Sequence, residues 1–480
     1  MITSSTKVKS FVEDFLYRNS KFMTLKKTVN ADIITPILAY LRLELKHKLI
    51  LESIPREKEN SRYSMIAYNP VHEIKFENGV LTDNGQVKTG DPLDYLGELT
   101  VKNTEASSLP FTGGAIGFVS YDTISFYEYI GEIPEDVIGT PDLHFFLYES
   151  YLIFDHKKEQ ITIVESDIYS GRSELDQELA MALVLSNLTR PHKNEFETVK
   201  LNPLSFTSNT AKAEFMGMVE QAQTYIKNGD MFQIVLSQRL TSQITGNPFD
   251  YYRNLRLTNP SNYLYFLDFG DYQIMGASPE SLVSVKNGVV TTNPIAGTRP
   301  RGADEAEDDA LSKDLLGDQK EVAEHRMLVD LGRNDIGKIS KVGTVKVTKY
   351  MEVEYFRYVM HLTSVVKGEL LDSVSSLDAL KSTLPAGTVS GAPKIRAMQR
   401  IYELEKTKRG IYAGAIGYLS SNSDMDFAIA LRTMVLKDGK AHAQAGAGIV
   451  FDSVPENEYQ ETLNKAKAMT KIGESNDFIS

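Results

Sequence analysis

Two stretches carry carboxylates at the spacing that puts them on one face of a helix. Lys320-Glu-Val-Ala-Glu-His-Arg-Met-Leu-Val-Asp330 sets Glu321, Glu324 and His325 at i, i+3 and i+4, and Glu458-Tyr-Gln-Glu-Thr-Leu-Asn-Lys465 sets Glu458, Glu461 and Lys465 at i, i+3 and i+7. Like charges one turn apart repel by roughly a few tenths of a kcal/mol, so water must solvate them or a cation must lie between them. A solvated helix face explains either pair alone. Both pairs, however, lie among apolar residues: Met327, Leu328 and Val329 in one segment, Leu463, Ala466, Ala468 and Met469 in the other. Oxygen-only ligation from two helices suits Mg²⁺, which keeps waters and takes one or two carboxylates together with a substrate anion.

Other residues are placed as unusually. Arg432, in Ala430-Leu-Arg-Thr433, falls inside what reads as an apolar strand, where a guanidinium is either a structural ion pair or a carboxylate clamp. Glu280, in Ala277-Ser-Pro-Glu-Ser-Leu282, is a simple turn acid or a functional one. His361 lies among apolar neighbours on an expected strand, where a satisfied core histidine is the commoner explanation. The string Pro385 to Lys394, containing Thr388, leads into a helix expected from about Pro393 to Glu405, and amides at such a turn can hold an anion. Gly446, Ala447 and Gly448 allow a ligand close to the backbone, although a bulge or tight turn accounts for either Gly-rich string by itself.

The elements that must position these groups are mostly hairpins. Thr35-Pro36 opens a helix to about Leu45, and a strand follows from Lys48 to Glu52. Asn78-Gly79, Asn84-Gly85, Asn287-Gly288 and Asp438-Gly439 are tight-turn signals between alternating runs. Two strands are expected between Phe145 and Val164. Further strands are expected over 259–269 and 272–277, and a three-stranded meander over 411–420, 426–436 and 440–450. Residues 211–227 place Phe215, Met218, Val219, Ala222, Tyr225 and Ile226 on one helical face, stopped by Asn228-Gly229. Hairpins imply antiparallel sheet and disfavour a doubly wound parallel one. The polar, aperiodic stretch near 187–209 divides the chain into an N-terminal region 1–190, a linker 191–210, a region 211–470 and a tail 471–480.

Composition removes whole classes of chemistry. The 480 residues contain no cysteine, which excludes disulfides, thiolate metal sites and thiol nucleophiles. Lys and Arg number 52 against 64 Asp and Glu, a net charge of −12 with no basic block, so a nucleic-acid role is not expected. The first 27 residues lack a signal-peptide core, and no apolar run approaches membrane-spanning length. A soluble cytoplasmic protein is the expectation.

Taken together, these segments resemble the chorismate-utilising enzymes. The matching strings are Gly229 to Arg239, Ala277 to Ser281, Pro294 to Arg299, Lys320 to Asp335, Val359 to Ser364, Leu384 to Lys394, Ile411 to Ala415, Gln444 to Val450 and Glu458 to Lys465. They cover most of residues 211–470 in order, while the N-terminal third matches through Leu51-Glu52-Ser53 and Ser61-Arg62-Tyr63-Ser64. Relatives that add water carry a Lys base where Gln233 stands, and the aminodeoxychorismate branch commonly has a Lys nucleophile where Ala296 stands. With neither Lys present, the resemblance is closest to the anthranilate synthase large subunits, whose nucleophile is ammonia.

The resemblance implies an α+β fold of two stacked, mostly antiparallel sheets flanked by helices, with N- and C-terminal segments interwoven. It implies Mg²⁺ held by Glu324 and Glu461, with Glu321 and Glu458 as further ligands or as orienters of its water, bound to the ring carboxylate of chorismate. Arg432, Tyr412, Lys465 and the Gly446-Ala447-Gly448 backbone would receive the other carboxylate or remaining polar groups, with Thr388 helping to position substrate. Glu280 would protonate the leaving hydroxyl, Thr298 would hydrogen-bond it, and His361 would serve pyruvate elimination. Lacking cysteine, the chain would need a separate glutamine amidotransferase subunit as its ammonia source. A tryptophan feedback site is implied at Glu52 and Ser53 and at Asn259, Pro260, Asn262, Tyr263 and Leu264. Asn262 and Leu264 depart from the family's usual Pro and Met; Leu conserves volume, whereas Asn loosens the loop. The rivals are an aminodeoxychorismate synthase large subunit and a catalytically inactive tryptophan-binding regulator, the latter having no need of four carboxylates.

Overall fold

A computed structural model describes residues 22–53, 62–102, 107–191, 201–356 and 359–473. Residues 192–200 of the 191–210 linker, most of the 471–480 tail, and Ser61 of the N-terminal match lie outside the described residues.

The described residues build two antiparallel sheets of twelve strands each. The first runs Thr24–Asn30, Gln160–Ser166, Ser150–Asp155, Tyr63–Ala67, Leu49–Glu52, Tyr263–Asp268, Tyr272–Ser278, Thr433–Lys437, Lys440–Ile449, Gln233–Gln243 and Thr207–Ser208, with Gly391–Ala392 also on the 233–243 strand. The second runs Ile295–Pro300, Val359–Glu369, Val289–Thr292, Ser281–Lys286, Met425–Ile429, Ala415–Ser420, Gly114–Val119, Leu143–Tyr148, His72–Glu77, Val80–Asp83 and Gln86–Lys88, with Lys346–Tyr355 also on the 359–369 strand. Each sheet draws strands from both sides of residues 191–210, so the linear boundaries do not mark two separate sheets.

Side-chain alternation sets the layers. Along neighbouring strands, Leu49, Met65, Ala67, Tyr265 and Leu267 join Ile116, Phe118 and Phe146 of the other sheet in a core between the sheets. Ile50, Ile66, Leu264 and Phe266 point the opposite way, onto the helices Pro36–Arg42, Glu174–Thr189 and Pro248–Thr258. The second sheet is covered by Pro92–Thr100, Gln319–Gly337 and Ser376–Thr383, while Lys394–Leu404 packs against the 233–243 strand of the first. This is the α+β arrangement of stacked sheets with outer helices. Among the described residues no helix is long and apolar enough to cross a membrane.

Several expectations about elements change: the strand expected over 411–420 starts only at Ala415, after a turn, and residues 145–164 hold parts of three strands rather than two. The first helix ends at Arg42 rather than Leu45, where the Lys48 ammonium binds the carbonyls of Tyr40 and Leu43 at 2.7 and 2.5 Å. Residues 259–262 are not strand. Asn247 caps a helix with Pro248 in its first turn, that helix ends at Thr258, and pairing begins only at Tyr263. The single strand expected over 426–436 is two strands in different sheets, Met425–Ile429 and Thr433–Lys437, so the meander does not exist as one unit. Arg432 sits at the break, in the left-handed conformation with φ 47°.

Candidate active site

The chain passes from one sheet to the other at Pro279-Glu280, between the 272–278 and 281–286 strands, and again at Ala430 to Arg432. Beside these crossings lies a cavity of about 1290 Å³. The 319–337 helix brings Glu321 and Glu324 to its wall, and the Pro455–Thr470 helix brings Glu458, Glu461 and Lys465. Strands supply Thr298, His361, Gly446 and Gly448, and the remaining wall includes Glu280, Thr388, Tyr412 and Arg432. Ala447 turns its methyl group into the hydrophobic core, and the glycines on either side form the wall. Strand alternation is the reason.

Each carboxylate pair faces the cavity from its own helix. Asp318 caps the 319–337 helix through the amides of Lys320 and Glu321, fixing where its first turn starts. Burial, then the negative charges of Glu324 and Asp318, raise the Glu321 pKa. Burial also raises that of Glu458, with Glu461 adding to it. Glu324 accepts a hydrogen bond from the Gln233 amide at 3.1 Å, and Glu461 pairs with Lys465 at 2.6 Å. Among the described residues no three His, Cys, Asp or Glu side chains gather closely enough to hold an ion unaided. Two repelling carboxylate pairs facing one cavity, all oxygen donors with room left for water and an anion, fit Mg²⁺ rather than a softer metal.

A cationic group faces the same cavity. Arg432 is exposed to it and, among the described residues, makes no ion pair; desolvation by the surrounding wall lowers its pKa. Of the two readings open from sequence, a structural ion pair and a carboxylate clamp, the unpaired guanidinium at the cavity supports the second. Tyr412 reaches the same space, its pKa pushed up to about 12 by burial, so its hydroxyl stays protonated. Glycine is required beside it: a Cβ at Gly446 would come within 2.8 Å of both the Tyr412 hydroxyl and the Leu236 carbonyl.

Two groups can move protons. Burial pushes the Glu280 carboxyl up to about 7, against the lowering effects of a 3.1 Å hydrogen bond from Thr388 and the charge of Lys465. It is therefore an acid poised near neutrality. The His361 Nδ1 lies 2.9 Å from the Gly297 carbonyl and 3.1 Å from the Thr298 hydroxyl. A carbonyl only accepts, so Nδ1 carries the hydrogen and the neutral ring keeps Nε2 as an acceptor. Burial lowers the ring's pKa, and the charge of Arg432 acts in the same direction.

The feedback segments meet, but only part of them faces the cavity. Glu52 lies opposite Leu264 on paired strands, and the Ser53 hydroxyl donates to the Asn262 carbonyl at 3.1 Å. The Glu52 carboxylate is buried, accepting from the Tyr252 hydroxyl at 2.6 Å and from Arg256 at 2.9 Å. Asn259, Pro260 and Asn262 line a continuation of the same cavity. Leu264 packs in the core and Tyr263 turns to Asp426 at 3.0 Å, so neither lines this cavity. Alternation along the 263–268 strand dictates both.

Sequence reasoning missed Arg256, Lys320 and His156 at the cavity, and Arg409 behind it. Arg256 had a signal, the Asn247-Pro248 cap whose helix ends beside Glu52. Arg409 had none, since Lys406, Lys408 and Arg409 together read as a solvated basic run.

Comparison with known proteins agrees with this geometry. Residues 46–471 match the family model described as chorismate binding enzyme. The chain is 56% identical to anthranilate synthase component 1 of Lactococcus lactis, covering 93% of this chain and 99% of that one. It is 46% identical to the protein of the same name from Acetivibrio thermocellus, covering 92% and 93%. The crystal structure of anthranilate synthase component I from Streptococcus pneumoniae superposes with a TM-score of 0.83 at 66% identity, covering 92% and 99%. The menaquinone-specific isochorismate synthase of Escherichia coli shares the fold, with a TM-score of 0.73 at 19% identity over 94% of each chain. The cavity with its carboxylates, acid and unpaired arginine is thus carried by a chain that belongs to the chorismate binding enzyme family.

Proposed function

We propose that this enzyme is the large subunit of an anthranilate synthase, a cytoplasmic, heteromeric lyase that converts chorismate and ammonia to anthranilate, pyruvate and water. The observation that carries the reading is the meeting, in one cavity, of an unpaired arginine with two carboxylate pairs and a carboxylic acid poised near pH 7. A dianionic, hydroxyl-bearing substrate asks for those groups together.

Arg432 and the Tyr412 hydroxyl bind one substrate carboxylate. Glu324 and Glu461, with Glu321 and Glu458 beside them, would hold Mg²⁺, which when bound neutralises the ring carboxylate. Protonated Glu280 donates to the departing C4 hydroxyl while ammonia adds at C2, and water leaves. Thr388 keeps the Glu280 carboxyl in place through its hydroxyl. The Nε2 of His361 then takes the C2 proton, the bond from C3 to the ether oxygen breaks, and the enolpyruvate released gains a proton at its methylene carbon to become pyruvate as the ring becomes aromatic. At Gln233 an amide cannot deprotonate water, so hydration does not compete.

The chain has no cysteine for a thiol-dependent glutaminase, and its relatives are named as one numbered component. Both facts support an amidotransferase partner that delivers ammonia. Tryptophan would bind beside Glu52, Ser53 and Asn259, and the place of Asn259 on the wall of the catalytic cavity supports feedback control from there. Fluorescent anthranilate formed from chorismate and ammonium is the test. Aminodeoxychorismate as the product would assign the chain to its sibling reaction, and tryptophan binding without turnover would leave only a regulator.

A further inference from the structure

Arg409 is fully buried and lies directly behind the cavity wall, not in it. Its Nε and Nη2 bind the two oxygens of buried Glu405 at 2.9 and 2.6 Å. Nη1 donates to the Val389 carbonyl and Nη2 to the Val235 carbonyl, each at 2.7 Å. The guanidinium carbon is 4.7 Å from the centre of the Tyr121 ring and 5.6 Å from that of Tyr412. Glu405 is itself held by the Ser237 amide at 2.8 Å and hydroxyl at 2.9 Å.

Each carbonyl belongs to a segment that carries a site residue. Val389 follows Thr388, which donates to Glu280, and Val235 stands two residues after Gln233, which donates to Glu324. A buried ion pair is a poor source of stability, because desolvating two charges offsets their attraction and an apolar pair often does as well. What an apolar pair lacks is a rigid planar fork that holds carbonyls of two separate segments and an aromatic ring at once.

We propose that Arg409 is a positioning residue, fixing Thr388, Gln233 and Tyr412 relative to one another so that the acid, the carboxylate and the hydroxyl meet the substrate together. The inference rests on the chorismate-to-anthranilate reading.

Two variants test it, with chorismate, ammonium and Mg²⁺. Arg409→Met with Glu405→Gln removes both charges and leaves an amide oxygen for Ser237. It is expected to melt cooperatively near the parent temperature while kcat falls about 100-fold, the loss that a small misplacement of reacting groups produces, with a smaller change in KM. Arg409→Lys keeps the charge without the fork and is expected to recover part of that loss. A folded double variant with kcat and KM within twofold of the parent would overturn the proposal. Should the double variant not fold, Arg409→Lys decides it: tenfold slower turnover supports positioning, and parental turnover refutes it. If the native chain itself made no anthranilate, the reaction assignment would fail. The positioning claim would then be read from directly measured chorismate affinity, tenfold weaker in the variants if right and unchanged if wrong.

Discussion

Glu280 and Arg432 sit on two neighbouring antiparallel crossings between the sheets, each bonded to the other crossing's strand. The Ile429 amide donates to the Glu280 carbonyl at 3.0 Å, and the Ala277 amide donates to the Arg432 carbonyl at 3.1 Å. The chain leaves one sheet for the other at both points, and both side chains are thereby placed at the one cavity. The two side chains are thus spaced by main-chain hydrogen bonds.

Glu280 sets a pH dependence. Its folded pKa, about 7, stands above the unfolded value near 4.5, so the native protein holds a proton that the unfolded chain has lost between those pH values. Stability from this group is present below the unfolded pKa and declines as pH rises to about 7. Catalysis by the protonated acid falls in the same direction: at fixed free ammonia, kcat/KM should drop with rising pH above about 7. Glu280→Gln should abolish that limb and lower kcat by roughly 10²- to 10⁴-fold. A profile of kcat/KM against pH, flat to pH 9 in the parent, would remove Glu280 as the acid.

Arg432 joins function to backbone strain. Arg432→Ala should raise KM for chorismate roughly 10- to 150-fold through loss of a charged hydrogen bond. Arg432→Gly should be as inactive yet more stable than Arg432→Ala by about 1 kcal/mol, because glycine accepts the left-handed conformation freely. Chemical denaturation of the two variants measures the difference, and equal stabilities would contradict the strain argument.

The glycines of the 440–449 strand are expected to be sensitive in order. Gly446→Ala drives a methyl against the Leu236 carbonyl and the Tyr412 hydroxyl, and main chain cannot yield cheaply. Gly448→Ala meets only the Gln233 amide at 2.8 Å, the mobile end of a side chain. Gly446→Ala should therefore lose more kcat/KM than Gly448→Ala, with overpacking costing about 1–3 kcal/mol of stability. The reverse order in steady-state kinetics would place the tight contact elsewhere.

Feedback should depend on the Glu52 tie to Tyr252 and Arg256. Glu52→Gln weakens the charged bond to Arg256 and should shift tryptophan inhibition to higher concentrations. An inhibition curve superimposable on the parent's would separate tryptophan control from this contact.

Chemistry was more legible than topology. Carboxylate spacing found both acidic helices, and Asn-Gly turns found the hairpins, because those signals are local. The switch of sheets at Ala430 to Arg432 was not legible: Met425 to Leu436 alternates well enough for one strand, and only the partner strands decide where it breaks. Tyr263 and Leu264 were named from their motif, but which of them reaches a ligand depends on strand parity that the motif does not encode. The Arg409 cluster depends on packing among residues more than 150 positions apart, such as Val235, and no local pattern marks it.

The central claim is met most directly by anthranilate fluorescence from chorismate and excess ammonium with Mg²⁺, repeated with EDTA and with Glu324→Gln and Glu461→Gln. The account predicts turnover by the chain without its partner, loss of it on chelation, and at least a hundredfold loss in each variant, of the size seen when a charged group that stabilises a transition state is removed. Full activity with EDTA or in both variants would contradict it.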